Sequence, residues 1–598
     1  MPHQYHLWPD VKIDGSDLPR QTEALLEQVV VDHHQHLPSM FAITFHDPAR
    51  DVINQLNVNI GSTVTIKMTP PGGMPETLIK GEVTGFEAEY DATRLRTILR
   101  GYDLSHRLHR GRNTQTYKNV TDSDIARQVA GNASLPIGTI DSTSVTYDHV
   151  SQPNQSDWAF LKSRAREIGY EMGMDSDGKF YFRQPIQASN APQTGDYQSH
   201  TDTLQLVFGD DLIEFRPRVT SAEQVSTVNV RGWDPDQKQP VVGSANAGTV
   251  AASLQDDPNT LAGTFGGPTF TVVDRPLPKQ PMADGAAASA AEIISGAFAE
   301  ADGITRGNPK LKAGSTVSVG VVGDHFEGQY TLSGARHVFG ENGYRTHFVI
   351  SGRQDRSLLG LASLGASNGH PSAGGAPING VVIAQVTDNS DPNNQARVKL
   401  KFPWLDDNYE SDWARITQLG AGPNSGAVWI PEKDDEVLVA FEFGDIRRPY
   451  VVGSLYNGQD TPNLGSGLFD NGKVKRRGFI SRLGHQFIFF DDDDKKGIAF
   501  ISSDGNLKIS LNESNSEIHI SSQGKVHVEC QQDMTLETQG NLKLSGQGVS
   551  VEAQNSLDLK GGAGATLDGG PQLEVKASGQ LKVSGAMVDV NNGALQVM

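Results

Sequence analysis

The sequence predicts a mainly β protein with a few helices and a repetitive C-terminal segment. Short runs rich in β-branched and aromatic residues, separated by glycine, proline and aspartate, recur through the first 460 residues, as is typical of strands and turns. From Ile518 onward, two apolar residues separated by one residue recur every seven or eight residues. Such a short fixed period indicates an array of repeated units rather than an ordinary globular domain.

Each apolar pair places two side chains on one face of a short strand, because residues i and i+2 of a strand point the same way. An eight-residue repeat leaves its apolar stripe without a partner, whereas a single-chain β-helix uses about twenty or more residues per coil. Three chains together reach that perimeter. We therefore predict an intertwined three-chain β-helix over 518–598; a single-chain β-solenoid and a low-complexity tail are the alternatives. The residues predicted to face the trimer axis are Ile518, Ile520, Val526, Val528, Met534, Leu536, Leu542, Leu544, Val549, Val551, Leu557, Leu559, Leu573, Val575, Leu581 and Val583.

Residues 1–362 are predicted to form β subdomains with helical insertions. Predicted strands lie at 29–31, 40–45, 64–68, 81–86, 95–99, 225–233, 314–319 and 344–350. Predicted helices lie at 120–130, 158–168 and 286–299, and a hairpin turns at Asp177-Gly178. Thr121 or Ser123 can cap the first helix, and Ser156 or Asp157 can cap the second.

The stretch that follows predicts a linker and a small barrel. Residues 363–377 are dominated by glycine, serine, alanine and proline and are predicted to be a linker. Over 378–460, five short strands alternate with Gly, Pro and Asp turns, which predicts a barrel of the OB type. Its turns are acidic, whereas an OB fold that binds nucleic acid needs a basic, aromatic-lined face. Residues 461–517 are interpreted as a connector into the repeat.

Composition excludes several classes of protein. The 598 residues carry a net charge of −20, from 51 basic and 71 acidic residues, so a nucleic-acid partner is not expected. A single cysteine, Cys530, allows no disulfide within the chain. No run reaches the roughly 18 apolar residues of a membrane helix, and the N-terminus has no basic or apolar leader. We expect synthesis in the cytoplasm without a signal peptide.

Four local motifs resemble metal-binding, catalytic or phosphate-binding sites, but none has the neighbouring residues or secondary structure that such a site needs. His33, His34 and His36 offer metal-ligand spacing but are more typical of a polar turn. The G-x-S-x-G motif at 365–369 lies in the linker, without the strand–turn–helix of a nucleophile elbow. The P-loop spacing at 467–473 is followed by Val474 where Ser or Thr is needed. The acidic run 491–494 is typical of a solvated turn. We therefore predict no enzyme, no cofactor and no metal site.

Several segments resemble one family in the order that the family has them. The segments that resemble the OB domain of VgrG and phage-type spike proteins are 386–392, 397–399, 402–405, 413–415, 430–432, 435–441, 444–449 and 453–458. Residues 481–485 and 490–492 resemble the entry to the β-helix of that family. Two further segments, 152–158 and 230–235, resemble its N-terminal half more loosely.

The resemblance implies a homotrimeric spike of a contractile injection system, whether a phage-like tail, a type VI secretion apparatus or an extracellular tail-like particle. Residues 1–362 would be the hub, with two tube-protein-like β-barrels per chain that meet the inner tube and baseplate proteins. The β-helix would be the needle that pierces the target cell envelope. Some family members carry an effector domain; we expect none here, because the gap after the OB barrel is short and the chain stops soon after the last pair.

The end of the needle is predicted to bind another protein. The last histidine is His527, so the resemblance gives no His-x-His metal tip. An uncovered strand end favours a partner, and Leu595, Gln596, Val597 and Met598 are predicted to dock a PAAR-like tip protein. Effector cargo is a further implied partner. A trimeric receptor-binding fibre or adhesin, and a toxin carrier, are the alternative functions.

Overall fold

The computed structural model describes residues 8–69, 74–197, 202–273, 275–356, 378–465, 467–492 and 495–590. The chain divides into two compact units, 1–462 and 463–598. As predicted, it is mainly β. The α-helices of the described residues are Arg20–Glu23, Val52–Leu56, Asp122–Asn132, Asp157–Glu167, Pro258–Gly263 and Gln280–Gly296, and the 3-10 helices are Leu104–His109, Ala188–Asn190 and Glu442–Gly444. No described helix is long and apolar enough to cross a membrane.

The strands carry most of the fold. Those of the first unit are Asp10–Ile13, Ser16–Asp17, Leu26–His34, Met40–His46, Thr63–Met68, Glu76–Tyr90, Leu95–Asp103, Asn113–Thr121, Ile137–Ile140, Thr146–Gln155, Glu171–Met174, Phe180–Arg183, Gln205–Val207, Leu212–Val219, Thr227–Asp234, Gln239–Asn246, Ala252–Leu254, Thr269–Val272, Ala299–Arg306, Thr316–Gly320, Gly328–Thr331, Gly334–Gly340, Gly343–Ile350, Val381–Asp388, Lys399–Lys401, Arg415–Ile416, Ala421–Gly422, Ser425–Gly426, Glu436–Phe441 and Pro449–Ser454. Those of the second unit are Phe469–Asp470, Lys473–Val474, Arg476–Ile480, Gln486–Asp492, Lys495–Ile501, Leu507–Asn512 and Glu517–Ser522.

An eleven-stranded sheet joins the two halves of the region before the linker. It runs from Leu212–Val219 at one edge to Ser16–Asp17 at the other. In its middle, Leu26–His34 pairs antiparallel with Gly334–Gly340, so that strands about 300 residues apart are neighbours. The alternation that predicted these strands buries one side of each: in Met40–His46, for example, Phe41, Ile43 and Phe45 are fully buried. The sheet therefore packs against two apolar cores, one on the strands from Leu26–His34 to Asp10–Ile13 and one on Leu212–Val219, Ala299–Arg306 and Gly343–Ile350.

Two capped helices pack beside this sheet. The helix Asp122–Asn132 has a complete capping box, because the Thr121 hydroxyl accepts from the Asp124 N–H and the Asp124 carboxylate accepts from the Thr121 N–H. Ser156 caps the helix Asp157–Glu167. Both helices bury their apolar faces in a common core. The predictions of these helices, and of the hairpin at 177–178, are confirmed.

The third predicted helix is present, but both of its predicted ends are wrong. It starts at Gln280, with Pro281 in its first turn, and ends at Gly296. Proline suits the first turn of a helix because its missing N–H would have no partner there. The alanine-rich composition continues past Gly296, but Ala299–Arg306 is a strand that pairs with both Leu212–Val219 and Gly343–Ile350. Tertiary pairing there overrides the helical propensity of alanine.

The OB barrel predicted over 378–460 is present. Five strands form one sheet in the order Lys399–Lys401, Val381–Asp388, Glu436–Phe441, Pro449–Ser454 and Arg415–Ile416. A bridge between Val398 and Ala414, with N–H to carbonyl distances of 3.0 and 2.7 Å, joins the first strand to the last and closes the barrel. Its interior residues, including Val386, Leu400 and Phe402, are fully buried. The predicted linker 363–377 lies outside the described residues.

The second unit begins with an antiparallel meander. Its five main strands, from Arg476–Ile480 to Glu517–Ser522, pair in sequence order. From 523 to 590 the described residues contain no helix or strand. The three-chain β-helix therefore stays a prediction for this part of the chain, and so do the boundaries predicted for the domains.

Candidate oligomerisation surface

The meander places aromatic and branched side chains in two rows on one side of the sheet. The cross-strand register aligns Phe479, Phe487, Phe500, Ile509 and Ile520 in one row, and Phe489, Ile498, Leu511 and Ile518 in the next. The two rows are two residues apart along each strand and therefore share a face. These nine residues are called the apolar face below.

The aromatic rings of the apolar face are ordered by the register. The rings of Phe487 and Phe500 stack with centroids 4.5 Å apart, and Phe479 lies parallel to Phe487 at 6.3 Å. Such cross-strand pairs stabilise a sheet by about 0.2–1 kcal/mol each. The face is nevertheless open: Phe500 is 55% exposed and Ile518 is 73% exposed. A contiguous apolar surface of this kind marks an interaction site.

Charged residues bracket one end of the apolar face. Lys475 contacts the carboxylates of Asp470 at 2.8 Å and Asp492 at 3.2 Å. Its hydrogen bonds to these two carboxylates raise the pKa of Lys475 to about 12. Arg477 pairs with Asp491. Asp491 and Asp492 thus form ion pairs on the sheet, in place of the solvated turn that the sequence predicted, and 493–494 lie outside the described residues.

All residues predicted to face the trimer axis are exposed in the single chain. Ile518 and Ile520 lie on the last strand of the meander and belong to the apolar face. The other fourteen lie in the tail beyond it, and exposure of the full set ranges from 53% to 85%. The structure does not bring the tail residues together within one chain, so their axial role stays a prediction. Leu595, Gln596, Val597 and Met598 lie outside the described residues.

The apolar face extends the repeat toward the N-terminus, and the sequence interpretation missed this. The pairs Phe487/Phe489, Ile498/Phe500 and Ile509/Leu511 have the same apolar–x–apolar pattern as the later pairs. They start eleven residues apart, and the next pair starts nine residues after Ile509. A search restricted to a period of seven or eight residues therefore ends too early. The signal was present as a longer period.

A chain of alternating charges joins the helix Asp157–Glu167 to the OB barrel. Arg164, which is 2% exposed, donates to Asp122 at 2.7 Å and also to Glu167. Glu167 accepts from Arg447 of the barrel at 3.3 Å, and Arg447 in turn donates to Asp445 at 2.8 Å. These five residues are called the junction network below. Its alternation of sign gives each buried charge an opposite neighbour.

The pKa values in the junction network reflect a balance of burial and pairing. Burial by itself raises the pKa of Asp445, but the charge and hydrogen bonds of Arg447 outweigh it and lower that pKa. For Asp122 burial is the larger effect, and its pKa is raised despite the pairing with Arg164. Two further hydrogen bonds join the same regions: Ser151 to the Tyr409 hydroxyl at 3.0 Å and His149 to the Glu410 carbonyl at 3.1 Å. The barrel is thereby fixed to the preceding region by polar contacts.

Within the described residues, the other motifs of the sequence form no chemical site. His33 and His34 lie in a strand, and His33 is 5% exposed, so the predicted polar turn is wrong for these two residues. The described residues contain no group of three or more His, Cys, Asp or Glu that could hold a metal ion. The motif at 365–369 lies outside the described residues. The P-loop spacing at 467–473 falls on the short hairpin Phe469–Asp470 and Lys473–Val474.

Two family models match the chain. Residues 9–341 match the family described as the Alg8 N-terminal domain. Residues 382–456 match the family described as the type VI secretion system/phage-baseplate injector OB domain. The second match coincides with the closed barrel. The first covers more than half of the chain.

Several curated relatives are type VI secretion system spike proteins. VgrG1c of Pseudomonas aeruginosa is 29% identical over 204 residues, which are 32% of this chain and 28% of that protein. VgrG3 of Vibrio cholerae is 37% identical over 75 residues, which are 12% of this chain and 7% of that protein. The matched stretches thus span less than a third of these relatives' lengths. Among solved structures, a Francisella PdpA–VgrG complex is similar over 87% of this chain and 81% of that chain, at 10% identity and a TM-score of 0.49.

Proposed function

This chain belongs to the family of proteins with an Alg8 N-terminal domain, and from that premise we propose that it is the structural spike and hub of a contractile injection system. The observation that carries the proposal is the order of its parts. A domain of the injector OB family follows the Alg8 N-terminal domain, and an exposed apolar face and tail follow the barrel. Similarity to VgrG spike proteins supports the same function.

The proposed assembly is a homotrimer built on the apolar face and the tail. The exposed apolar pairs support it, because a strand repeat of about eight residues needs neighbours to bury its stripe. In the trimer, the pairs from Ile518 to Val583 face a common axis and form the needle. The region before the linker contacts the inner tube and the baseplate, and the rigid needle breaches the target cell envelope. The role is mechanical, and no catalytic step is assigned to the chain.

Two further partners belong to the proposal. A PAAR-like tip protein covers the C-terminal end at Leu595, Gln596, Val597 and Met598, and effector proteins travel as cargo. When these four residues are replaced by serine, the trimer should be retained but should no longer bind the tip protein. A pull-down measures this loss. Retention of the tip protein would contradict this docking site.

Mass and location together test the proposed function. Native mass spectrometry of the full chain should give three times the chain mass of 64.4 kDa. Electron microscopy of particles from the source cells, with an antibody against the chain, should place it at the baseplate end of a sheathed tube. A monomer at micromolar concentration would overturn the three-chain assembly. Label on free fibres without a sheath would indicate a receptor-binding fibre instead.

A further inference from the structure

A cavity of about 60 Å³ in the first unit collects more positive than negative charge. It lies between the helix Asp157–Glu167, the helix Gln280–Gly296 and the segment after the strand Gly343–Ile350. A volume of about 10–15 Å³ holds one water molecule, so this space suits several waters or one small ion. The polar residues that matter for its charge are His36, Lys162, Arg166, Glu171, Arg353 and Asp355.

Both carboxylates of the cavity already have cationic partners. Lys162 donates to Asp355 at 2.7 Å. Glu171 accepts from Arg183 at 3.0 Å. Among the described residues, no carboxylate lies within ion-pair distance of Arg166 or Arg353, and two guanidinium charges therefore remain without an ion-pair partner.

Buried polar atoms at the cavity also lack partners. Arg353 donates from Nη2 to the carbonyl of Tyr170 at 3.0 Å, a neutral acceptor. Within the part of the chain that the structure describes, buried Nη1 of Arg353 and buried Nε2 of His36 have no hydrogen-bond partner. A buried donor left unsatisfied costs about 1–3 kcal/mol, and more when it is charged. Such groups therefore favour an acceptor that carries negative charge.

The pKa values agree with this crowding of positive charge. Burial lowers the pKa of Arg166, and the nearby Arg275 and Arg353 lower it further, while Asp355 opposes them. Burial likewise lowers the pKa of Arg353, although the charges of Glu171 and Glu292 oppose it. Like charges held together in a partly buried space destabilise one another. An anion between them would remove that repulsion.

We propose that this cavity binds a single small oxyanion, with Arg166 and Arg353 as its charged donors and His36 as a neutral one. Guanidinium groups match the oxygens of phosphate, sulfate and carboxylate through paired N–H donors. The bound anion connects the helix Asp157–Glu167 to the segment that leads into the linker. The site is separate from the apolar face and from the junction network.

Thermal unfolding of the full chain with inorganic phosphate tests the site. At constant ionic strength, phosphate should raise the Tm of the wild type in a saturable way, as for any ligand that binds the folded state. Arg166→Gln should weaken the apparent affinity at least tenfold. Without phosphate, Arg166→Gln should have a higher Tm than the wild type, because a repelling charge is gone. The order of the two Tm values should therefore reverse when phosphate is added.

The matched control is Arg127→Gln, an exposed arginine on the helix Asp122–Asn132. Its phosphate response should equal that of the wild type. Arg353→Lys keeps the charge but loses the paired donors, and it should also weaken phosphate binding. Broadening of the ³¹P signal by the wild type gives a direct readout, and acetate in place of phosphate distinguishes a carboxylate site from a tetrahedral oxyanion site. No saturable response to either anion, or an equal response in the variants at Arg166 and Arg353, would overturn the proposal.

Discussion

The two units bury their apolar side chains in opposite ways. In the first unit, large aromatic side chains such as Phe160, Phe348 and Phe402 are almost fully buried within one chain. In the second unit, Leu464, Ile488 and Ala499 are the buried apolar residues of the described part. In the apolar face and the described tail, each apolar side chain is either exposed or only partly buried. The first unit therefore buries large apolar cores within one chain, whereas the second leaves most of its described apolar side chains exposed.

Because of this difference, the stability of the single chain and the assembly of several chains should depend on different residues. A substitution in the first unit should act on the unfolding of each chain by itself. A substitution on the apolar face or in the tail should act on the association of chains, because the single chain already exposes those residues.

Val549→Asp should have the largest effect. In the proposed trimer it places three carboxylates near the axis, and burial of unpaired charges costs several kcal/mol per ion. The tail should fail to assemble, while the first unit keeps its own unfolding transition. Analytical ultracentrifugation and circular dichroism measure the two outcomes. The control is the adjacent Ser550→Asp, whose side chain would point away from the axis in the predicted strand. A normal trimer of Val549→Asp would show that the inward assignment is wrong.

Arg447→Met should destabilise the first unit by about 3–5 kcal/mol, because it leaves the charges of Glu167 and Asp445 without their shared cation. The free energy of unfolding from urea titration measures this loss. The control is Lys401→Met, whose partner Asp407 is exposed, and a surface pair of that kind contributes about 0–1 kcal/mol. Loss of the trimer without loss of stability in the first unit would contradict the separation.

The features that the sequence predicted well are local ones. The caps at Thr121 and Ser156 lie beside the helices that they start. The pairing of Leu26–His34 with Gly334–Gly340 has no such signal, since either strand suits many partners until the chain has folded. The junction network is hidden for the same reason: Arg164 and Glu167 look like an ordinary i,i+3 helix pair, and the second partner of Glu167, Arg447, is 280 residues away.

The candidate site was predicted in part. Periodicity picked out the pairs of the tail, whose axial role stays a prediction, but not the apolar face of the meander, where longer turns stretch the spacing from eight to eleven residues. Turn length changes the period without changing which residues share a face, because the alternation within each strand stays at two. A search for apolar–x–apolar pairs without a fixed interval would have found both.

Ile509→Asp should weaken association of the second unit by about 2–3 kcal/mol per chain, the value of burying one large aliphatic side chain. Its neighbour Lys508 points to the other side of the same strand, so Lys508→Asp is the control and should change the association constant little. Sedimentation equilibrium at several concentrations measures both. Equal effects of the two substitutions would show that the apolar face is not an interface.

Asp391→Asn should have the smallest effect and should be confined to the first unit. The Asp391 carboxylate accepts from Arg397 at 2.8 and 3.0 Å and from the backbone N–H groups of Asn393 and Gln395. The hydrogen bond with Arg397, followed by those from the backbone, lowers the pKa of Asp391 although burial opposes them. A lowered pKa adds stability that is fully present above the unfolded value of about 3.9 and is lost as the pH falls below it.

Asp391→Asn should therefore reduce the free energy of unfolding by about 1–3 kcal/mol at pH 7, and the difference from the wild type should shrink below about pH 4. Urea unfolding between pH 7 and pH 2 measures it, and the exposed Asp407→Asn provides the matched carboxylate without these hydrogen bonds. The trimer mass should not change at pH 7, because the carboxylate lies in the first unit and outside the apolar face and the tail. A difference that grew on acidification would contradict the assigned sign, and loss of the trimer would show that the two units do not respond separately.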